Sequence, residues 1–165
     1  MGEAAVTLSA AQAAFIEGPR SIYATSCDAR FRPSLARLLG CIVADDRRQL
    51  ILLAHPLQAD RLLHDVEQSG VLAVVFNAPE THQTLQLKGT GRRLAAPPAD
   101  AEALVQRHLD AFVAALGPRG FTPELVHAVI RGSPEPAVAI GFRPQTLFEQ
   151  TPGPQAGQRI AGNAP

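Results

Sequence analysis

The segment Val71–Leu94, VLAVVFNAPETHQTLQLKGTGRRL, has the pattern of a β-hairpin. Its apolar first part is rich in β-branched residues and too short for a typical helix, which predicts a strand buried on both faces. Its second part alternates, with Thr84, Gln86 and Lys88 on one side of a strand and leucines on the other. Residues 77–80, NAPE, have turn chemistry, because proline presets φ and asparagine can hydrogen-bond its own backbone. The segment therefore predicts two strands with one polar row.

This polar row has two interpretations. Hydroxyl, amide and ammonium groups beside an apolar wall could hold an anionic, ring-shaped ligand, whereas on an exposed sheet edge they would only be solvated. A second feature that points to the same place is needed to decide between them.

A helix, three strands and a second helix are predicted before the hairpin. A capping box at Ser9 and Gln12 starts the first helix, and Gly18 and Pro19 end it. Residues 57–69 have the apolar spacing of an amphipathic helix that links two strands. The segments whose composition predicts strands are 21–27, 34–44 and 49–55.

Two helices and a strand are predicted after the hairpin. Asp100 is expected to cap a long helix, in which apolar residues recur at spacings of three and four until Gly117. Thr122 caps a shorter helix. The last predicted strand, 137–150, contains Pro144, which marks a bulge or an edge.

Together these elements predict a mainly β fold with flanking helices, in the α+β class. Six short strands, several joined by hairpins, favour an antiparallel barrel with helices packed outside it. A doubly wound parallel sheet would need a helix between most consecutive strands. We expect residues 1–150 to form one domain and residues 151–165, rich in Gly, Pro and Gln, to form an extended or partly disordered tail.

Arg37 stands out on the second predicted strand. Alternation places four apolar residues on its face, namely Leu35, Leu39, Cys41 and Val43. A guanidinium on an otherwise apolar face needs an acceptor, because burying it unpaired costs free energy. That acceptor is either a carboxylate of this chain or a bound phosphate, and the sequence leaves both open.

Charge and composition exclude several classes of protein. Fifteen basic and fifteen acidic residues cancel, so no overall field attracts nucleic acid or an anionic membrane. The sequence contains neither an apolar segment of membrane-spanning length nor the pattern of a secretory signal, so we expect a cytoplasmic protein. Two cysteines without CxxC spacing are expected to be small core residues.

No catalytic motif is recognisable. The GxG at Gly89–Gly91 ends a strand and lacks the third glycine of a dinucleotide-binding fingerprint. The five histidines are scattered, and no two have a ligand spacing on one helix, so no metal site is predicted. Catalytic residues cannot be assigned, and any catalysis would belong to a bound cofactor.

Five segments, in this order, carry a resemblance to a known family. They are IYATSCD (22–28), RPSLARLLGCIVADD (32–46), LILLAHP (50–56), the hairpin segment (71–94) and FRPQTLFEQTPGPQAG (142–157). Over about residues 8–157 the chain resembles the pyridoxamine 5′-phosphate oxidase-related, FMN-binding split-barrel family.

The resemblance implies a six-stranded split β-barrel that forms a homodimer, with FMN bound at the subunit interface. Arg37 matches the strand arginine that meets the flavin phosphate in this family. The strand that faces the flavin carries Thr84, Gln86 and Lys88, and Ser26 lies near the same end of the barrel by topology. The implied activity is that of a low-specificity, flavin-dependent oxidoreductase acting on a small molecule.

One departure from the family concerns the helix after the third strand. Family members that oxidise pyridoxamine phosphate carry an Arg-Lys pair at its start, where this chain has residues 56–59, PLQA, and its first basic residue is Arg61. Losing two charge-assisted contacts would weaken FMN binding by orders of magnitude. The residues that bind the substrate phosphate are also not recognisable near the C-terminus, so vitamin B6 oxidation is not expected.

Two alternatives therefore stay open beside the flavoprotein. One is a cofactor-poor, binding or stress-related split-barrel dimer that has lost the flavin. The other is a relative that binds haem or a deazaflavin, for which haem would need an axial histidine such as His82 or His127.

Overall fold

Seven strands form one antiparallel sheet in the computed structural model, which describes residues 6–162 of the chain. Their order is β3-β2-β1-β4-β5-β6-β7, and β3 also pairs with β6, so the first six strands close into a barrel. The barrel confirms the fold predicted from the sequence. The strands are β1 (Ser21–Cys27), β2 (Pro33–Val43), β3 (Leu50–Ala54), β4 (Val71–Asn77), β5 (Thr84–Arg93), β6 (Val138–Glu149) and β7 (Arg159–Gly162).

Four α-helices flank the barrel: α1 (Ala10–Glu17), α2 (Asp60–Ser69), α3 (Ala101–Leu116) and α4 (Pro123–Ile130). The predicted capping box at Ser9 is present, and the Thr122 side chain caps α4 by accepting from the N–H of Leu125. The side-chain cap predicted at Asp100 is wrong. Its backbone has φ −97° and ψ 12°, outside the extended conformation that lets an N-cap side chain fold back onto the helix.

The side chains pack into two apolar clusters. The larger one fills the barrel, and residues of α1 and α2 such as Ile16 and Val66 belong to it. The smaller one lies outside the barrel, where Val105 and Phe112 of α3 and Ile130 of α4 join outward residues of β2, β3 and β6. Helices α3 and α4 therefore pack against the outside of the barrel, whereas α1 and α2 contribute to the cluster that fills it.

The prediction that β4 is buried on both faces is wrong. Its inward residues, including Leu72, Val74 and Phe76, are almost fully buried, whereas Val75 is partly exposed and Val71 is 53% exposed. A strand of an antiparallel barrel needs only one apolar face, and β-branched residues suit either face.

A bulge changes which residues of β2 share a face with Arg37. The register between β2 and β3 shifts between Leu38 and Gly40. As a result Cys41 and Val43 pack against the barrel cluster, while Leu39 belongs to the outer one. The alternation assumed from the sequence therefore fails beyond Leu39, because a bulge inserts an extra residue into one strand.

A second bulge and the tail shape the end of the barrel. The register of β5 and β6 shifts at Gly89, opposite Pro144, as expected for a proline inside a paired strand. After β6, the Thr151 hydroxyl accepts from the backbone N–H of Thr84, and β7 then adds to the edge of β6. Within residues 6–162, no helix is long and apolar enough to cross a membrane.

Candidate functional site

An uncovered sheet surface, called here the open face, lies next to the part of the barrel that α3 and α4 cover. It consists of outward side chains of β1, β2, β4, β5 and β6 that are only partly buried or are exposed. One row across it follows the register from Arg37 through Tyr23, Val75 and Gln86 to Phe148. The next row carries Leu35, Thr25, Ala73, Lys88 and Thr146.

Arg37 is held on the open face by uncharged partners. Its guanidinium donates to the Ser21 hydroxyl at 3.2 Å and to the Tyr23 hydroxyl, and it lies 4.5 Å from the centroid of the Tyr23 ring. No carboxylate within residues 6–162 forms an ion pair with it. The internal salt bridge considered from the sequence is therefore not formed, and the positive charge stays available to an anion.

Arg37 also lines a cavity of about 430 Å³, called here the Arg37 cleft. It lies where the open face meets the β4–β5 turn on one side and α3 and α4 on the other. Its lining residues are Ser21, Arg37, Asn77, Pro79, His82, Phe112, Leu116, Arg119, Phe121, Leu125, Val126, Val129 and Ile130.

The three candidate residues of β5 share the open face but differ in availability. Thr84 is buried, and its hydroxyl donates to the carbonyl of His82 and accepts from the Asn77 amide at 2.8 Å. Gln86 accepts from the Gln150 side chain at 3.0 Å. Lys88 is exposed, with its ammonium 4.8 Å from the Phe148 ring centroid. Gln86 and Lys88 thus retain groups that could face a ligand.

Ser26 is not brought together with these residues. It is 5% exposed and lies on the inward face of β1. Tyr23, which pairs with Arg37, lies on the outward face of the same strand. Its hydroxyl donates to the Val71 carbonyl at 2.7 Å and lies 3.4 Å from the Ser69 hydroxyl. The structure therefore gives Ser26 a place inside the barrel, between β1 and the start of β4.

The start of α2 offers no substitute for the missing Arg-Lys pair. The side chain of Arg61 donates to both carboxylate oxygens of buried Asp65 at 3.1 Å and to Asp28 at 3.1 Å. These hydrogen bonds raise the pKa of Arg61, the contribution of Asp65 being the larger. Its charge is therefore committed to two carboxylates.

The buried His55 just before α2 has a structural arrangement. Its Nδ1 accepts from the backbone N–H groups of Leu57 and Gln58 at 3.2 and 3.3 Å, so the proton sits on Nε2. That nitrogen is 2.8 Å from the Ser133 hydroxyl, which in turn donates to Glu135. A protonated Nε2 cannot take a proton from Ser133, so this Ser-His-Glu arrangement is not a nucleophile with its base. The two turn bonds also explain why α2 begins at Asp60 rather than near Leu57.

The two histidines considered as axial ligands of haem line different cavities. His82 is exposed at the rim of the Arg37 cleft, with φ of 60°, and His127 lines a different cavity beside α3. Left-handed backbone at a non-glycine residue is uncommon and tends to occur at functional sites.

The cleft itself was not predicted from the sequence. Leu125 and Val129 of α4 are 49% and 52% exposed and line it, whereas Val126 and Ile130 of the same helix are buried. The feature of the sequence that could have indicated the cleft is the short helix α4, which has more apolar residues than one buried face requires.

Solved structures share the fold of this chain. HupZ of Group A Streptococcus superposes with a TM-score of 0.55 at 15% identity, covering 92% of this chain and all of that one. A candidate pyridoxamine 5′-phosphate oxidase of Lactobacillus delbrueckii gives a TM-score of 0.53 at 13% identity, covering 86% of this chain and 93% of that one. No protein-family model and no curated protein matches the sequence. At these identities the likeness concerns the fold, and the chain has the split-barrel fold of the pyridoxamine 5′-phosphate oxidase-related proteins.

Proposed function

We propose that this protein is a cytoplasmic, homodimeric, FMN-binding split-barrel protein with a low-specificity oxidoreductase activity. The observation that carries the proposal is Arg37, a partly buried guanidinium whose partners are the uncharged hydroxyls of Ser21 and Tyr23. A cation held in this way keeps its full attraction for an anion, and the planar guanidinium suits a phosphate.

The proposed flavin site extends from Arg37 along the open face. Arg37 on β2 and Gln86 on β5 share one row and are three strands apart, about 14 Å at the usual spacing of strands. Arg37 would hold the phosphate, and Gln86 and Lys88 would contact polar groups of the flavin. A bound FMN would supply electron or hydride transfer, while these side chains would only bind and orient it.

The homodimer would cover the open face. Tyr23, Val75 and Phe148 are partly exposed there, and Leu35 is 64% exposed. Apolar and aromatic side chains on a flat sheet surface are typical of the buried centre of a protein interface. A second copy on this face would also exclude water from the flavin.

Binding is expected to be weaker than in proteins with the full set of phosphate contacts. Two missing charge-assisted hydrogen bonds, at about 1.5 to 3 kcal/mol each, correspond to roughly 10² to 10⁴ in affinity. Arg61 cannot replace the missing contacts, because it forms ion pairs with Asp65 and Asp28. This favours a second candidate function, a split-barrel dimer without flavin.

An absorbance spectrum of the purified protein, before and after incubation with excess FMN and desalting, separates the two functions. A flavoprotein should show flavin absorbance equivalent to about one FMN per subunit. If the complex dissociates during desalting, an FMN fluorescence titration should still show saturable binding. Arg37→Ala should weaken that binding by about 10- to 150-fold. The matched control is Arg48→Ala, which removes the same charge from the β2–β3 turn, beyond the far end of the strand that carries Arg37. Absence of binding to the wild-type protein would reject the flavoprotein in favour of the second candidate.

A further inference from the structure

The Arg37 cleft has an apolar wall that the proposed flavin contacts do not use. Phe121, Leu125 and Val129 line it and are 45%, 49% and 52% exposed. Leaving three large apolar side chains half exposed around one cavity forgoes burial worth about 25 cal/mol per Å². A cavity of about 430 Å³ lies in the usual range for small-molecule sites.

Basic side chains also line the cleft, next to this apolar wall and on the β4–β5 turn. Besides Arg37, the lining contains Arg119 and His82, and none of the lining residues is acidic. The Arg119 guanidinium donates to the Ala115 carbonyl at 2.8 Å and forms no ion pair within residues 6–162. Glu80, in the same turn as His82, is instead 3.8 Å from Arg20. The charge of Arg119 is therefore not balanced inside the cleft.

The backbone of the β4–β5 turn contributes to the arrangement. His82 has φ of 60°, in the left-handed region where non-glycine residues are uncommon. Its carbonyl accepts from the Thr84 hydroxyl at 2.8 Å, and its N–H donates to the Ala78 carbonyl at 2.8 Å, so the conformation is fixed from both sides. These bonds hold the turn in the conformation in which His82 lines the cleft.

We propose that the Arg37 cleft binds an amphipathic small-molecule carboxylate. Its apolar part would pack against Phe121, Leu125 and Val129, and its carboxylate would lie at Arg119 and His82, which leaves Arg37 for the flavin phosphate. As a substrate class this rests on the proposed function, whereas binding in the cleft does not require the flavin.

Isothermal titration calorimetry with two probes of equal chain length tests the proposal. Decanoate is expected to bind the wild-type protein with one site per chain, and decylammonium to bind at least about tenfold more weakly because the charged side chains that line the cleft are basic. Val129→Asp, at a half-exposed position that tolerates a charge, should weaken decanoate binding by about tenfold or more. Arg119→Ala should weaken it by about five- to tenfold. Arg48→Ala is the control for loss of one positive charge.

FMN titrations of the same variants keep the two proposals apart. Val129→Asp and Arg119→Ala should leave FMN affinity within about twofold, and saturating FMN should not displace decanoate. Equal affinity for the two probes, no decanoate binding, or unchanged binding in Val129→Asp would overturn the cleft proposal. Displacement of decanoate by saturating FMN would also overturn it, because the carboxylate would then occupy Arg37 in place of Arg119 and His82. Failure of FMN to bind while decanoate binds as expected would reject the flavin and uphold the cleft.

Discussion

The guanidinium of Arg37 lies 4.5 Å from the ring centroid of Tyr23, its register partner on the neighbouring strand, and donates to the hydroxyl of the same residue. The contact orients a cation without neutralising it. An ion pair with a carboxylate would also have fixed the side chain, but it would have reduced the attraction for a ligand phosphate. Tyr23 therefore fixes the Arg37 guanidinium and leaves its positive charge unpaired within residues 6–162.

Tyr23→Phe removes the hydroxyl acceptor and keeps the ring under the guanidinium. We expect FMN affinity to fall by about 2- to 10-fold, because one hydrogen bond that orients Arg37 contributes about 0.5 to 1.5 kcal/mol. Thermal unfolding followed by circular dichroism should change little, since the ring still packs. Unchanged FMN affinity in this variant would mean that the hydroxyl does not position Arg37.

The open face should be the dimer interface. Val75→Glu adds a charge at the centre of the row between Tyr23 and Gln86, and burying it against a second copy would be strongly unfavourable. Size-exclusion chromatography with light scattering is expected to show a wild-type dimer and a folded monomer for the variant. Ala103→Glu, at an exposed position of α3, adds the same charge elsewhere and should leave the dimer intact. A wild-type monomer, or a dimer of the Val75 variant, would contradict the proposed interface.

Ser26 should contribute to stability and not to flavin binding. Ser26→Ala removes the 2.7 Å hydrogen bond to the Val71 carbonyl inside the barrel. Urea denaturation is expected to show a loss of about 1 kcal/mol in the free energy of unfolding, because the hydrogen bond from a buried hydroxyl is lost. FMN affinity should stay within about twofold. A large loss of FMN affinity with unchanged stability would restore the role that the family resemblance implied for this serine.

The strands were predictable because local pattern determines them. The four barrel strands predicted with bounds of their own, 21–27, 34–44, 49–55 and 137–150, begin and end within one residue of those bounds, and the apolar spacing of α3 identified the long helix. The direction of individual side chains was less predictable. The bulge at Leu38 and Gly40 reverses the face of Cys41, and nothing in the local sequence specifies such an insertion.

The candidate site was predictable only in part. Arg37 and the β5 row share a face because strand alternation and register bring them there, and both follow from the pattern of elements. Ser26 was assigned by its end of the barrel, whereas its face depends on the pairing register with Arg37. The cleft joins residues 21–37, 77–82 and 112–130, and contacts between such distant segments require the tertiary structure.

His108 on α3 should make stability depend on pH. Desolvation lowers its pKa from the ordinary 6.5 to about 4. Between these values the unfolded chain binds a proton that the folded chain does not, so stability is present above about pH 6.5 and is lost as the pH falls toward 4. A difference of this size corresponds to at most about 3 kcal/mol. Its ring lies 6.0 Å from that of Phe112 in a stacked arrangement, which suits replacement by phenylalanine.

Urea denaturation of His108→Phe and the wild-type protein at several values between pH 4 and 7.5 measures this effect. The variant should lose less stability than the wild type over the interval from pH 6.5 to 4. His64→Gln, which replaces an exposed histidine of α2, should behave like the wild type. Parallel pH profiles for His108→Phe and wild type would show that His108 is not protonated on unfolding in this range.

The central claim is that Arg37 binds the phosphate of a flavin, and the most direct test combines two ligands with two proteins. Fluorescence titrations would give the dissociation constants of FMN and of riboflavin, which lacks the phosphate, for the wild-type protein and Arg37→Ala. The wild-type protein is expected to bind FMN about 10- to 150-fold more tightly than riboflavin, and Arg37→Ala should remove most of that preference while riboflavin affinity changes little. An equal preference for FMN in both proteins would contradict the account.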